Sequence, residues 1–344
     1  MRHLILWNFI AEKLFQNQPV ILLSVVESNG SSPGRQGFKM AVTEDEMSGS
    51  IGGGVMEHKF VELAKEKLRQ SSANLLLKKQ VHQKNSSKDQ SGMICSGEQT
   101  ILLYPLEEKN LPVIQRIISA LENKKTGLLK LTFTGFDFRD DDQFNGKFDF
   151  DMQSESAFTY SERIGFTNHL YIVGGGHCAL ALSKLMNEMD FYIHVIEDRD
   201  NLNTFIGNEF AHEKIIVKDY SAISKYIPHG DNHYVTIMTF GYRTDDLAVR
   251  ALMHKKFRYL GVLGSEAKMK RLFSEWRSDK IPENRLANIF SPIGIQIKSE
   301  TPEEIAVSIA AEIIKVKNEE KAKPELIDDG TENHFAQSRK VRKE

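Results

Sequence analysis

The run Leu170-Tyr171-Ile172-Val173-Gly174-Gly175-Gly176-His177-Cys178-Ala179 constrains this chain more than any other stretch. Four apolar residues pass straight into three glycines. A helical apolar pattern follows at Ala181, Leu182, Leu185, Met186 and Met189. A second strand-like run, Phe191 to Ile196, ends in Glu197-Asp198-Arg199. The order is strand, tight turn, helix, strand, acid. Gly174, Gly176 and Ala179 match the G-x-G-x-x-A spacing of a dinucleotide-binding turn. Gly174 permits the turn, Gly176 lets backbone approach a phosphate, and Ala179 lets the helix sit close to the strand. The helix start then offers N–H groups to an anion.

At 344 residues the chain has room for two domains. A formal net charge of −2 gives no reason to expect binding to nucleic acid or to an anionic membrane surface. The two cysteines, Cys95 and Cys178, make no disulfide framework, which fits a reducing cytoplasm. Neither a signal peptide nor a membrane span is expected. Glu12 and Lys13 interrupt the apolar start, and the longest apolar run, Val20 to Val26, is too short to cross a bilayer.

In chain order, Leu4 to Phe15 reads as an amphipathic helix and Val20 to Val26 as a buried strand. A polar loop, Glu27 to Gly37, is dense in Gly, Ser and Pro and carries Arg35. A hairpin, Phe38–Thr43 with Met47–Ile51, runs into Gly52-Gly53-Gly54. A helix follows to Leu68, with Glu57 in its first turn, where the helix dipole favours an acid. Strands are expected at Ala73–His82 and Thr100–Tyr104, around a loop that holds Cys95. A helix over Leu111–Leu121 and a β-meander after Leu128 complete this half. Asp140-Asp141-Asp142 reads as a solvated turn. From Asn168, strands and helices alternate, which argues for a doubly wound parallel sheet. Thr301, Pro302 and Glu304 form an N-cap, first-turn proline and capping box for a last helix.

In such a sheet ligands sit beyond the carboxyl ends of the strands. Three loops should converge there: Gly174-Gly175-Gly176-His177, Phe240-Gly241-Tyr242-Arg243-Thr244-Asp245, and Gly264-Ser265-Glu266-Ala267-Lys268. Their backbone donors with Ser265, Arg243 and Lys268 suit a phosphate or pyrophosphate. His177 is either a ligand or acid/base group, or a helix-start residue bonded to backbone. Cys95 is either a reactive thiol or filler. Arg35 is either an anion contact beside Gly52-Gly53-Gly54 or a surface cation.

Together these residues resemble the XdhC/CoxI family, the xanthine dehydrogenase accessory factors. The N-terminal matches are Glu27-Ser28-Asn29-Gly30-Ser31-Ser32-Pro33, Gly49-Ser50-Ile51-Gly52-Gly53-Gly54 with Glu57, and Gly92-Met93-Ile94-Cys95-Ser96-Gly97-Glu98. The C-terminal matches are Gly174-Gly175-Gly176-His177, Gly261-Val262-Leu263-Gly264-Ser265 with Lys268, Ser291-Pro292-Ile293-Gly294-Ile295, and the helix opened by Thr301-Pro302-Glu303-Glu304. Three positions depart from the family pattern. Ser96 stands for a glycine, Glu266 for an arginine, and Phe240-Gly241-Tyr242 replaces a stretch that often carries a histidine.

The resemblance implies an α/β chain. It comprises an N-terminal α+β XdhC/CoxI-type domain over residues 1–165 and a Rossmann-like domain over 168–317; residues 318–344, polar, charged and almost without core residues, read as a disordered tail. It implies a maturation factor that binds the molybdenum cofactor (molybdopterin), protects it during sulfuration and delivers it to a xanthine dehydrogenase-like molybdenum hydroxylase. A cysteine desulfurase is a further partner, and a homodimer is expected. On that reading Cys95 contacts molybdenum or shields its sulfur. The glycine turns hold the pterin phosphate. The alternative is an NAD(P)-dependent oxidoreductase, with Glu197 or Asp198 on the ribose and His177 or Tyr242 as proton donor. A nucleotide-independent assembly scaffold is a third option.

Overall fold

The computed structural model describes residues 2–70, 74–82, 97–140, 144 and 146–319. The N-terminal part opens with helix α1 (Arg2–Phe15), then strands β1 (Val20–Gly30), β2 (Lys39–Val42) and β3 (Met47–Gly49). Helix α2 (Gly54–Arg69) and strands β4 (Leu76–His82) and β5 (Gly97–Leu106) follow. These strands form one antiparallel sheet in the order β3-β2-β1-β5-β4. The apolar run of β1, interrupted only by the buried Ser24, reflects burial on both faces. Val20, Leu22 and Val26 join the core beneath α1, while Ile21, Leu23 and Val25 pack against α2. Each such side chain contributes about 1.5–3 kcal/mol when fully buried.

Helix α3 (Leu111–Glu122) and strands β6 (Gly127–Thr132), β7 (Phe136–Arg139), β8 (Phe148–Ser154) and β9 (Ala157–Ile164) build a second antiparallel sheet, ordered β7-β6-β9-β8. Leu129, Leu131, Phe138 and Tyr160 bring its inner face into the α1 core. A buried ion pair between Lys39 of β2 and Glu162 of β9 ties the two sheets together, and the Tyr160 hydroxyl donates to Glu162 at 2.8 Å.

The C-terminal part is a six-stranded, wholly parallel sheet in the order β12-β11-β10-β13-β14-β15. Its elements are β10 (Asn168–Val173), α4 (His177–Asn187), β11 (Phe191–Glu197), α5 (Asn203–Ile206), β12 (Glu213–Ile216) and β13 (Gly230–Ile237). Then come α6 (Tyr242–Leu252), β14 (Phe257–Val262), α7 (Glu266–Ser278), α8 (Glu283–Leu286), β15 (Ile289–Phe290) and α9 (Pro302–Asn318). Helices α4 and α9 cover one face through Leu170, Ile172 and Ile309. Helices α6 and α7 cover the other through Val173, Val249 and Trp276. This is the doubly wound order, with the strand sequence reversing between β10 and β13. The capping box of α9 forms as the sequence predicts: the Glu304 N–H donates to Thr301 Oγ1, and the Thr301 N–H donates to the Glu304 carboxylate, both at 3.2 Å.

The fold expectation therefore holds, with shifts at the edges. The second hairpin strand is shorter than expected, and β7 and β15 are strands that the apolar pattern was too short to announce. Residues 320–344, most of the expected tail, lie outside the described residues. Among the described residues no helix is long and apolar enough to cross a membrane.

Candidate functional site

Two loop clusters gather the sequence-predicted residues. The first lies at the carboxyl end of β10. Gly174 has φ +106°, and a Cβ there would stand 2.3 Å from the Met238 carbonyl oxygen, so only glycine fits between the ends of β10 and β13. No atom lies within 4 Å of a Cβ built on Gly176. That side is open for a ligand to approach the backbone. His177 is exposed at the helix start, while Ala179 is buried under it, as the close helix–strand contact requires. Cys178, also predicted at the helix start, is half-buried. Burial and the nearby Glu303 push its thiol pKa up, which does not favour a thiolate.

Two charged candidates are turned inward. Glu197 is fully buried. One of its oxygens accepts the Gly175 N–H at 2.6 Å and Arg199 Nη2 at 3.1 Å. The other accepts Arg199 Nε at 2.7 Å and the N–H groups of Asp198 and Arg199 at 3.1 Å. Burial alone would raise this carboxyl. The bonds from Arg199, Asp198 and Gly175 outweigh it and hold the pKa at about 2. The acid expected on a ribose instead clamps the glycine turn from beneath. Asp198 remains at the rim, accepting from the Tyr220 hydroxyl at 3.2 Å, with its pKa raised by burial and by Glu197.

Lys268 is the second. Its ammonium pairs with Asp245 and donates to the Leu263 carbonyl at 3.0 Å. Asp245 is fully buried and also accepts from Thr239, through the N–H at 3.0 Å and the hydroxyl at 2.6 Å. The expectation of a free lysine for phosphate is thus corrected: its charge is compensated, and the network fastens the β13–α6 and β14–α7 loops to each other. Ser265 caps α7, accepting the Lys268 N–H at 3.3 Å. The open groups at this crevice are Gly176, His177 and Arg243, together with Phe240, whose ring is 89% exposed beneath the Arg199 guanidinium.

The second cluster joins three loops of the N-terminal part. A Cβ on Gly34 would lie 2.1 Å from the Ile51 carbonyl oxygen, and one on Gly52 2.4 Å from the Gly34 nitrogen. One on Gly97 would lie 2.6 Å from the Ser32 nitrogen. The loops interlock backbone to backbone because each carries glycine at the contact. The Gly52-Gly53-Gly54 turn is not an empty anion cradle, which corrects the second expectation. The Ser50 hydroxyl (2.7 Å), the Ile51 N–H (2.8 Å) and the Gly53 N–H (3.0 Å) all donate to one Glu57 oxygen. Burial would raise the Glu57 carboxyl, and these donors together hold it below the usual range. Gly53 and Gly54 have open space where a Cβ would stand. Arg35 is exposed and donates to the Gly30 carbonyl at 2.8 Å. Cys95 and residues 83–96 around it lie outside the described residues.

The Rossmann crevice and the Gly34 and Gly52 loops, though not Gly97, fall within stretches that family models match. A family model for XdhC and CoxI matches residues 14–78, and a model of the XdhC Rossmann domain matches residues 170–313. The chain belongs to the XdhC and CoxI family. Its N-terminal match takes in the Gly34 and Gly52 loops, and its C-terminal match the whole crevice. The chain is 22% identical over 307 residues to the uncharacterised protein YqeB of Escherichia coli, covering 88% of this chain and 44% of that one. It is 29% identical over 160 residues to a protein of Bacillus subtilis described as a probable xanthine dehydrogenase subunit, covering 46% of each. The aligned parts therefore span less than half of either relative. A crystal structure of a xanthine dehydrogenase from Bacillus halodurans shares the fold at a TM-score of 0.68 and 24% identity, covering 92% of this chain and 98% of that one.

Sequence reasoning missed three groups. Asp245 was placed in a converging loop and at a helix start, but not as the partner of Lys268. Gln80 and Gln99, both buried, sit unannounced opposite each other on β4 and β5. His169, His194, His212 and His233 gather with Tyr171 and Tyr192 at the amino ends of β10, β11 and β13, where His169 Nδ1 lies 3.2 Å from His194 Nε2. Strand alternation would place His169, His194 and His233 on one face once the register was known. Among the described residues no group of three or more His, Cys, Asp or Glu side chains is arranged to hold a metal ion.

Proposed function

We propose that this chain is a xanthine dehydrogenase accessory protein that binds the molybdenum cofactor, protects it while its terminal sulfur is installed, and delivers it to a molybdenum hydroxylase. The observation that carries the reading is the presence of both family domains in one chain, each carrying a glycine cluster with an open side. In the N-terminal cluster the open side of Gly54 would meet the cofactor, with Arg35 at its edge, since the Gly53 N–H is already taken by Glu57. Cys95, two positions before the interlocked Gly97, would meet the metal or its sulfur. The Bacillus subtilis relative, described as part of a xanthine dehydrogenase, supports a hydroxylase as the client. A cysteine desulfurase as sulfur donor, a homodimeric state and a cytoplasmic location belong to the same proposal.

A second reading, an NAD(P)-dependent oxidoreductase, is favoured by the doubly wound strand order and the open Gly176. The residues fit a phosphate there better than a ribose, because Glu197 is committed to Gly175 and Arg199. Of the two acids, Asp198 alone stays at the rim to hold a ribose hydroxyl.

Anaerobic titration of the purified chain with molybdenum cofactor, with NADH and NADPH in parallel, separates the readings. Saturable cofactor binding that weakens at least tenfold in Cys95→Ala, with the fold unchanged by circular dichroism, is the expected result. Nicotinamide binding without cofactor binding would overturn it.

A further inference from the structure

A small cleft of about 60 Å³ opens between α2 and the outer strand β4. On the α2 side it is lined by the apolar Met56, Phe60 and Leu63 together with Lys59, and on the β4 side by Lys78, Lys79 and Gln80. Gln80 is 2% exposed, and its Nε2 has no hydrogen-bond partner among the described residues. Such groups are rare in folded proteins and call for an explanation.

The orientation of that amide follows from chemistry. The backbone N–H of Gly34 donates to Gln99 Oε1 at 3.1 Å. A backbone N–H can only donate, so Gln99 must turn its oxygen to Gly34 and its NH₂ away. Gln99 Nε2 then donates to Gln80 Oε1 at 2.9 Å. Turning Gln80 over would set two NH₂ groups against each other. The chain of amides therefore runs one way, from the Gly34 loop to the cleft, and ends on a donor. Each bond polarises the next, so the terminal N–H is strengthened.

We infer that this cleft is a binding subsite for an anionic acceptor group, a phosphate or carboxylate oxygen, carried on a flat or apolar body. Gln80 Nε2 supplies the buried hydrogen bond. Lys78, on the same strand face as Gln80, supplies the positive field, while Lys79 alternates to the opposite face and pairs there with Glu98 at 3.0 Å. Phe60, Met56 and Leu63 receive the apolar part. At this size the cleft takes one terminal group of a ligand and not the whole, since complete small-molecule pockets run to about 300–1,000 Å³. The inference does not rest on molybdenum cofactor binding, and it stands if that reading fails.

The test uses phenyl phosphate, inorganic phosphate and benzyl alcohol as probes of the full chain, by titration calorimetry and by the side-chain amide signals of ¹⁵N-labelled protein. Phenyl phosphate should saturate, shift one glutamine NH₂ pair, and bind more tightly than inorganic phosphate; benzyl alcohol should not move that pair. Gln80→Glu keeps the oxygen that accepts from Gln99 and replaces only the outward donor. It should weaken phenyl phosphate about tenfold to a hundredfold, since a charge-assisted hydrogen bond gives way to like-charge repulsion. Lys78→Met, an exposed change that does not touch the amide chain, should weaken it several-fold and covers the case in which Gln80→Glu does not fold. No saturable binding by the unaltered chain, equal binding by both variants, or a crystal soaked with phenyl phosphate showing only water at Gln80 Nε2 would each overturn the inference.

Discussion

Replacing Glu197 by glutamine tests whether this residue is part of the scaffold or a ligand for ribose. The carboxylate has two oxygens and five donors around it, from Gly175, Asp198 and Arg199. An amide offers one oxygen, so its NH₂ must face either the Gly175 N–H or the Arg199 guanidinium, donor against donor. Removing one partner of a buried ion pair costs about 3–5 kcal/mol. The Arg199 side chain is 38% exposed, and water screens what Glu197 no longer compensates, which lowers the expected loss to about 2–3 kcal/mol. For a domain of this size that is a fall of roughly 5–10 °C in melting temperature. Trp276, fully buried in α7, reports on this domain once Trp7, the only other tryptophan, is replaced by phenylalanine in both proteins. The carboxyl is held at about 2, below its unfolded value, so its contribution is complete above the ordinary carboxylate range and disappears as pH falls towards 2. The gap between the parent and Glu197→Gln should therefore be full at pH 7 and close in acid. Equal midpoints at pH 7 would refute the reasoning, as would a gap that persists unchanged near pH 2.

Two further predictions concern the same domain. Asp245→Asn should lower its stability by about 2–4 kcal/mol by leaving Lys268 uncompensated, and the double variant Asp245→Asn/Lys268→Met should recover part of it; urea unfolding of the four proteins gives the coupling. His169, His194 and His212 are held at about 4 by burial and by neighbouring cationic groups, below their unfolded value. The unfolded chain thus binds more protons between about pH 6.5 and 4, and stability should fall with pH across that window. His194→Phe should remove up to about 1.4 kcal/mol per pH unit of that slope, read from urea midpoints at a series of pH values.

The doubly wound domain was legible because its signals are local. A strand–glycine–helix turn, alternating apolar periods and a capping box each reside within a few residues. The charged residues of the two clusters were legible only as types. Glu57, Glu197 and Lys268 stand where a ligand contact would stand, but an acid near a glycine turn can equally bond that turn's own N–H groups, and spacing does not distinguish the two. Lys268 was misread because its partner Asp245 lies 23 positions earlier, on another helix. The Gln80–Gln99 pair was invisible for a related reason. Its meaning depends on the register of β4 against β5 and on a contact to Gly34, neither of which a single strand reveals.

The backbone interlock of Gly34, Gly52 and Gly97 also dictates an order of assembly. Gly34 and Gly52 meet within one stretch of the chain, but Gly97 reaches the Ser32 backbone only when β5 pairs along β1, with Val20 opposite Leu106 and Gly30 opposite Gly97. A nascent chain that has released α1, β1 and the first hairpin still lacks the strand that carries Gly97. The N-terminal cluster cannot exist as a local nucleus. It closes only with the longest-range pairing of its sheet, so its final shape appears only after that half of the protein has committed to its fold.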